Sequence, residues 1–201
     1  MSTLRPATLV MLLAFLLLGV MGAGCNAEPC QGAACVAPDA GPRPDAGFVA
    51  SSIVFVPENQ GAPGRVWLSL AEARPHENRF TLHVYGAGMP AYGVAGRLAF
   101  DPSLATLTGG AAGSALHGEG VILQGAAAAT EKGGVFGVSR SVVFDASADL
   151  TPDRPIAILE LTVSKPGHTR IVFDPRRSRV LDHGLKPVPV AHWLGGALIV
   201  E

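Results

Sequence analysis

Cys25, Cys30 and Cys35 are the only thiols in this 201-residue chain, and they fall at an even spacing of five. Thiols of an exported protein form disulfides, and clustered thiols can also hold zinc. Three is the wrong number for disulfides alone, and no histidine stands near enough to complete a zinc pattern. Other chemistry-bearing residues are sparser. Ser114 and His117 are the closest-spaced serine and histidine, and "GVSRS" (137–141) misses the Gly-x-Ser-x-Gly elbow by one residue. That stretch reads as strand with no helix behind it, so it is not the elbow of a hydrolase. The six histidines are scattered without a His-x-x-x-His pair. Asp145, Asp149 and Asp153 in "DASADLTPD" offer oxygen ligands suited to calcium, but not at EF-hand spacing, and read first as a solvated loop. Arg176, Arg177 and Arg179 form a basic turn without the interleaved aromatics of a nucleic-acid surface. No catalytic residue, metal ligand or cofactor is assigned, and the chain is not expected to be an enzyme. A net charge of −1 gives no electrostatic argument for nucleic acid.

The elements around the cysteines read as an address. Arg5 is the only charge before Glu28, and residues 7–21, "ATLVMLLAFLLLGVM", are almost wholly apolar. Gly22, Ala23 and Gly24 follow. A positive start, a short apolar run and a small-residue end make a secretory signal peptide over residues 1–24. A spanning helix would want ~20 apolar residues, more than this run supplies. The run of small residues ends on Cys25, and Ala23-Gly24-Cys25 resembles the lipobox of bacterial lipoproteins; the position before it, Gly22, departs from the usual aliphatic residue. The resemblance implies a diacylglycerol on Cys25 as the new N-terminus, against ordinary cleavage near Ala23 or Ala27. With Cys25 taken by lipid, Cys30 and Cys35 remain to pair across "QGAA", where Gly32 permits the turn. Two or three acyl chains suffice for stable attachment to a membrane. Asn26 after the cysteine, rather than Asp, points to the outer membrane of a cell envelope in the best-known sorting scheme.

Residues 25–50 read as a tether. They repeat Pro-Asp-Ala-Gly at Pro38–Gly41 and Pro44–Gly47 and hold few large apolar side chains to offset the entropy of ordering. Proline keeps such a segment extended, at ~3 Å per residue. Its role is either reach or simple linkage.

From residue 51 to 201 the texture changes to short alternating apolar runs punctuated by turn residues. "RFTLHVYG" directs Phe80, Leu82 and Val84 one way and Thr81, His83 and Tyr85 the other; "RVWLSLA" groups Val66, Leu68 and Leu70 and leaves Trp67 out of phase. Further strands are expected at 52–56, 92–100, 120–125, 134–144, 156–164, 169–173, 179–182 and 196–201. The alanine-rich "GAAAATE" is a candidate for one helical turn. High glycine (25) and proline (16) fit many turns. The expectation is an all-β fold, a two-sheet antiparallel sandwich of about nine strands, jelly-roll-like.

"FTLHVYGAGMPAYGVAGRLAFDPSLATL" resembles the early strands of cohesins and related carbohydrate-binding-module sandwiches, where a strand ends in an aromatic-Asp-Pro turn, here Phe100-Asp101-Pro102. "PIAILELTVSKPGHTRIVFD" and the closing "GALIV" resemble later strands of the same domains. The resemblance covers residues 53–201 and rests on packing and turn motifs, so it speaks for fold before function. Phe-Asp-Pro, repeated at Phe173-Asp174-Pro175, is read as a strand terminator. The resemblance implies a binding or scaffold module that docks a protein partner through a sheet face, to which Trp67, Thr81, His83 and Tyr85 are the candidate contributors. The alternative is glycan binding, which needs the rings of Trp67, Tyr85, Tyr92 and Trp193 to line up on one exposed face.

Overall fold

Strands with one apolar side cannot bury it alone, so they pair into sheets whose apolar faces stack. The computed structural model describes residues 47–58, 61–118, 121–141 and 146–201, which form two main sheets. The five-stranded sheet runs β14 (His192–Leu194), β2 (Arg65–Arg74), β3 (Arg79–Ala87), β10 (Ala157–Val163), β6 (Ala105–Ala112). The eight-stranded sheet begins β1 (Ile53–Pro57), β15 (Gly196–Val200), β11 (Gly167–Phe173), β5 (Gly93–Ala99). One edge of β5 is shared by β11 and β12 (Arg179–Leu181), the latter carrying β13 (Pro187–Val188). The other edge pairs with β8 (Gly133–Arg140), itself paired with β7 (Leu123–Thr130). A two-residue pair, β4 (Pro90–Ala91) with β9 (Ala148–Asp149), closes one end. The chain is thus the all-β, two-sheet sandwich its alternation predicts.

The core lies between the facing sheets. Phe80, Leu82 and Val84 of β3 meet Leu98 of β5, Ile171 of β11 and Leu198 of β15, all buried. Each such side chain contributes about 1.5–3 kcal/mol relative to exposure. Phe136, Phe173 and Trp193 form an aromatic run across it, with centroids 6.3 and 5.1 Å apart. Ala50, which the sequence reading puts at the end of the tether, is buried in this core. Cys25, Cys30 and Cys35, the signal segment, residues 25–46 of the tether, Asp145 and the end of the expected 134–144 strand lie outside the described residues.

The strands differ from expectation in three ways. There are fifteen strand segments among the described residues, because five pieces of two or three residues pair beside ten longer strands. β14 runs parallel to β2, an exception to the antiparallel rule. β6 forms where no strand is expected, and β7 carries the strand expected at 120–125 on through the alanine run expected as a helical turn. Their sequences, "ATLTGGAA" and "LQGAAAAT", lack large alternating side chains because the two strands press together. A Cβ on Gly110 would sit 2.6 Å from Ala127 Cβ, and one on Gly125 2.6 Å from Ala112 N. Only small residues permit that approach, and small residues carry no periodic signal.

Candidate functional site: the outer face of the five-stranded sheet

Alternation along β3 turns Thr81, His83 and Tyr85 away from the core, each half-buried. On β2, Trp67 lies opposite Tyr85 and Ser69 opposite His83. Beyond Ser69 the strand bulges: pairing shifts between Leu70 and Glu72, so Ala71 has no partner and Glu72 comes opposite Thr81. β6 bulges at the same level, with Thr108 set between Gly109, opposite Glu160, and Leu107, opposite Leu161. The Thr108 hydroxyl donates to Glu160 O at 3.1 Å. Two bulges on strands flanking the centre increase the local twist and re-aim the side chains around them.

All four candidate residues therefore share one face. The Trp67 and Tyr85 rings stack, with centroids 5.8 Å apart and planes 16° apart. His83 meets Tyr85 edge-on at 5.9 Å, and its Nδ1 lies 3.2 Å from the Tyr85 hydroxyl, which donates to the neutral ring when Nε2 carries the proton. Burial pushes the His83 imidazolium below its ordinary value, because the charged ring would lose water. Ile158 of β10 sits across from His83, adding a half-buried apolar neighbour. Beyond Thr81 the face becomes ionic: Arg74 donates to Glu72 at 2.8 Å and lies 3.7 Å from Glu77, while Arg79 lies 3.9 Å from Glu160. The Arg74 guanidinium holds the Glu72 carboxyl below the usual carboxylate range.

The four aromatics do not line up for sugars. Trp67 is on the outer face as its phase predicts, but it is only 3% exposed, its ring covered rather than offered. Tyr92 is buried, and Trp193 turns inward onto Phe173. Tyr85 is the one ring of the set that keeps a partly open surface on this face.

The remaining candidates stay apart. Ser114 and His117 are the exposed ends of a turn whose middle residues, Ala115 and Leu116, are buried; His117 N donates to Ser114 O at 3.1 Å, and no side-chain bond joins the two among the described residues. Ser139 of "GVSRS" lies within β8 opposite Gly93. Among the described residues no three His, Cys, Asp or Glu side chains gather as a metal site, and no helix is long and apolar enough to cross a membrane. Both Phe-Asp-Pro turns act as terminators: Asp101 Oδ1 accepts from Ser103 N at 2.8 Å and Ser103 Oγ at 2.6 Å, and Asp174 Oδ1 from Arg176 N at 3.1 Å. The Ser103 hydroxyl, then its N–H, hold the Asp101 carboxyl below its ordinary value.

No protein-family model and no curated protein matches the chain. Among solved structures it is similar to the type II cohesin dyad from the adaptor ScaA scaffoldin of Acetivibrio cellulolyticus, at 16% identity and a TM-score of 0.46 over 68% of this chain and 44% of that one. The chain thus spans less than half the length of that dyad. It is also similar to the second type II cohesin module of the same scaffoldin, at 15% identity and a TM-score of 0.41 over 75% of this chain and 90% of that one. A third likeness is to a CaDoc0917–CaCohA2 complex, at 11% identity and a TM-score of 0.39 over 68% of this chain and 92% of that one.

Proposed function

We propose that this chain is a membrane-tethered docking module of a bacterial cell envelope, which binds a protein partner through the outer face of its five-stranded sheet. One observation carries the docking reading. Tyr85 and His83 are partly open and held in fixed geometry by the covered Trp67 ring, with Ile158 beside them and ion pairs at one end. Rigid aromatic anchors with a charged border are what a protein interface uses. A sugar platform would instead present its rings flat and bare, and Trp67 does not. The tether reading rests on the sequence of residues 1–50: lipid on Cys25, a Cys30–Cys35 disulfide and an extended spacer on the outer membrane.

The test has two parts. Intact mass of the protein purified from host membranes, beside a Cys25→Ala variant, reports the anchor. A chain starting at Cys25 with acyl mass, lost in the variant together with membrane attachment, supports it; an unacylated chain cut elsewhere rejects it. Cross-linking in host envelopes with wild type and with Tyr85→Ala reports the docking face. Loss of a defined cross-linked species in Tyr85→Ala, with the variant still folded at the assay temperature, supports docking there. Equal cross-linking by both chains rejects that face.

A further inference from the structure

On the opposite sheet, away from the docking face, lies a basin of about 650 Å³. Arg97, Lys132, Arg176 and Arg177 line it, with Thr130, Ala99, Glu131 and Asp174. Four cations against two carboxylates give this one basin a surplus of two positive charges, on a chain whose net charge is −1. Asp174 is partly engaged by Arg177 at 3.8 Å. Among the described residues Arg97, Lys132 and Arg176 have no carboxylate within ion-pair distance, and the buried Thr130 Oγ1 has no hydrogen-bond partner. Like charges gathered with too few counter-charges repel one another, so the arrangement carries a cost that a bound anion would relieve.

The walls are held to the sheet by backbone bonds, with the Asp174 carboxylate also accepting from Arg176 N at 3.1 Å. Asp174 N donates to Arg97 O at 2.8 Å, and Phe100 N donates to Lys132 O at 3.1 Å, fixing both loops to β5. Ser178, the one polar side chain among the described residues that is buried, stands behind them. Its hydroxyl donates to Asp174 O at 2.8 Å and accepts from Arg97 N at 3.2 Å. The loop bearing Arg176 and Arg177 is therefore set in place before any ligand arrives, which lowers the ordering cost of binding.

We propose that this basin binds a phosphate monoester. A doubly charged, compact oxyanion matches the surplus of two, and its oxygens suit the planar forks of Arg97 and Arg176. A soluble phosphorylated sugar and a phosphorylated lipid headgroup share this chemistry.

The experiment uses the full chain in detergent micelles, titrated calorimetrically with phenyl phosphate and, for comparison, with acetate. The expected result is saturable phenyl phosphate binding, weakened about tenfold or more in Arg97→Gln/Lys132→Gln and unchanged in Arg154→Gln, an exposed cation outside the basin. Because Arg97 is only half-exposed, the exposed single variant Lys132→Gln, with its melting curve, guards against a folding artefact. Equal binding of acetate, equal binding by the variants, or no saturable binding overturns the proposal. Flotation with phosphatidylcholine vesicles, with and without phosphatidic acid, separates the sources. Extra flotation with phosphatidic acid that the double variant loses supports the lipid headgroup, and saturable phenyl phosphate binding without it supports a soluble ester.

Discussion

Trp67 and Tyr85 lie directly opposite one another on β2 and β3, ring on ring at 5.8 Å, on the side of the sheet that faces away from the core. The covered ring serves as backing for the partly open one. Trp67→Ala removes a nearly fully buried side chain and is expected to cost about 3–5 kcal/mol. Tyr85→Ala loses the stacking term, about 0.5–1.5 kcal/mol, plus modest burial. Urea unfolding of both variants checks this; similar losses for the two would contradict the asymmetry of their exposure.

His83 makes stability depend on pH. Its folded value lies below the ordinary 6.5, so between the two values the unfolded chain binds the proton more readily than the native one. Its contribution is complete above 6.5 and falls away as pH drops toward the folded value. Denaturation midpoints followed across this range should slope upward with pH in wild type. The slope should flatten in His83→Gln, and an identical profile would assign the dependence elsewhere.

Ser178 anchors the Asp174 loop from within. Ser178→Ala leaves Arg97 N and Asp174 O without this partner in a buried place, at an expected cost of about 1–3 kcal/mol. Amide exchange at Arg97 and in residues 174–178 should quicken first. A variant as stable as wild type with unchanged exchange would mean that the loop is held without it.

Asn78 fastens the start of the domain. In a left-handed conformation (φ 54°), its side chain accepts from Ala50 N at 2.7 Å and donates to Phe48 O at 2.5 Å. Asn78→Gly keeps the turn and loses both bonds; Asn78→Ala strains the turn as well. Proteolysis within residues 47–51 should accelerate in both variants, and the melting temperature should drop further in Asn78→Ala. Cleavage at the wild-type rate would show that core burial of Ala50 alone holds this segment.

Legibility followed side-chain size. Phe80, Leu82 and Val84 disclose their face by alternation alone, and the outward set Thr81, His83 and Tyr85 follows. Trp67 discloses its side but not its cover, since the parallel strand β14 beside it comes from the far end of the chain. β6 and the alanine run of β7 were silent because Gly110 and Ala127 are chosen for closeness, which has no period. The basin was half-visible. Arg176 and Arg177 stand together in sequence, but Arg97 and Lys132 join them only through the β5–β8 pairing and the turn before β8.

The Asn78 fastening also decides how the domain would carry a pull. Tension arriving through the residues before Phe48 meets the paired bonds of the Asn78 amide first. Only after these part does the load reach the β1–β15 ladder, where Ser52 and Glu201 exchange hydrogen bonds at the end nearest the pull. Under such a pull the amide would part first, releasing a short length of chain before the sandwich itself is loaded.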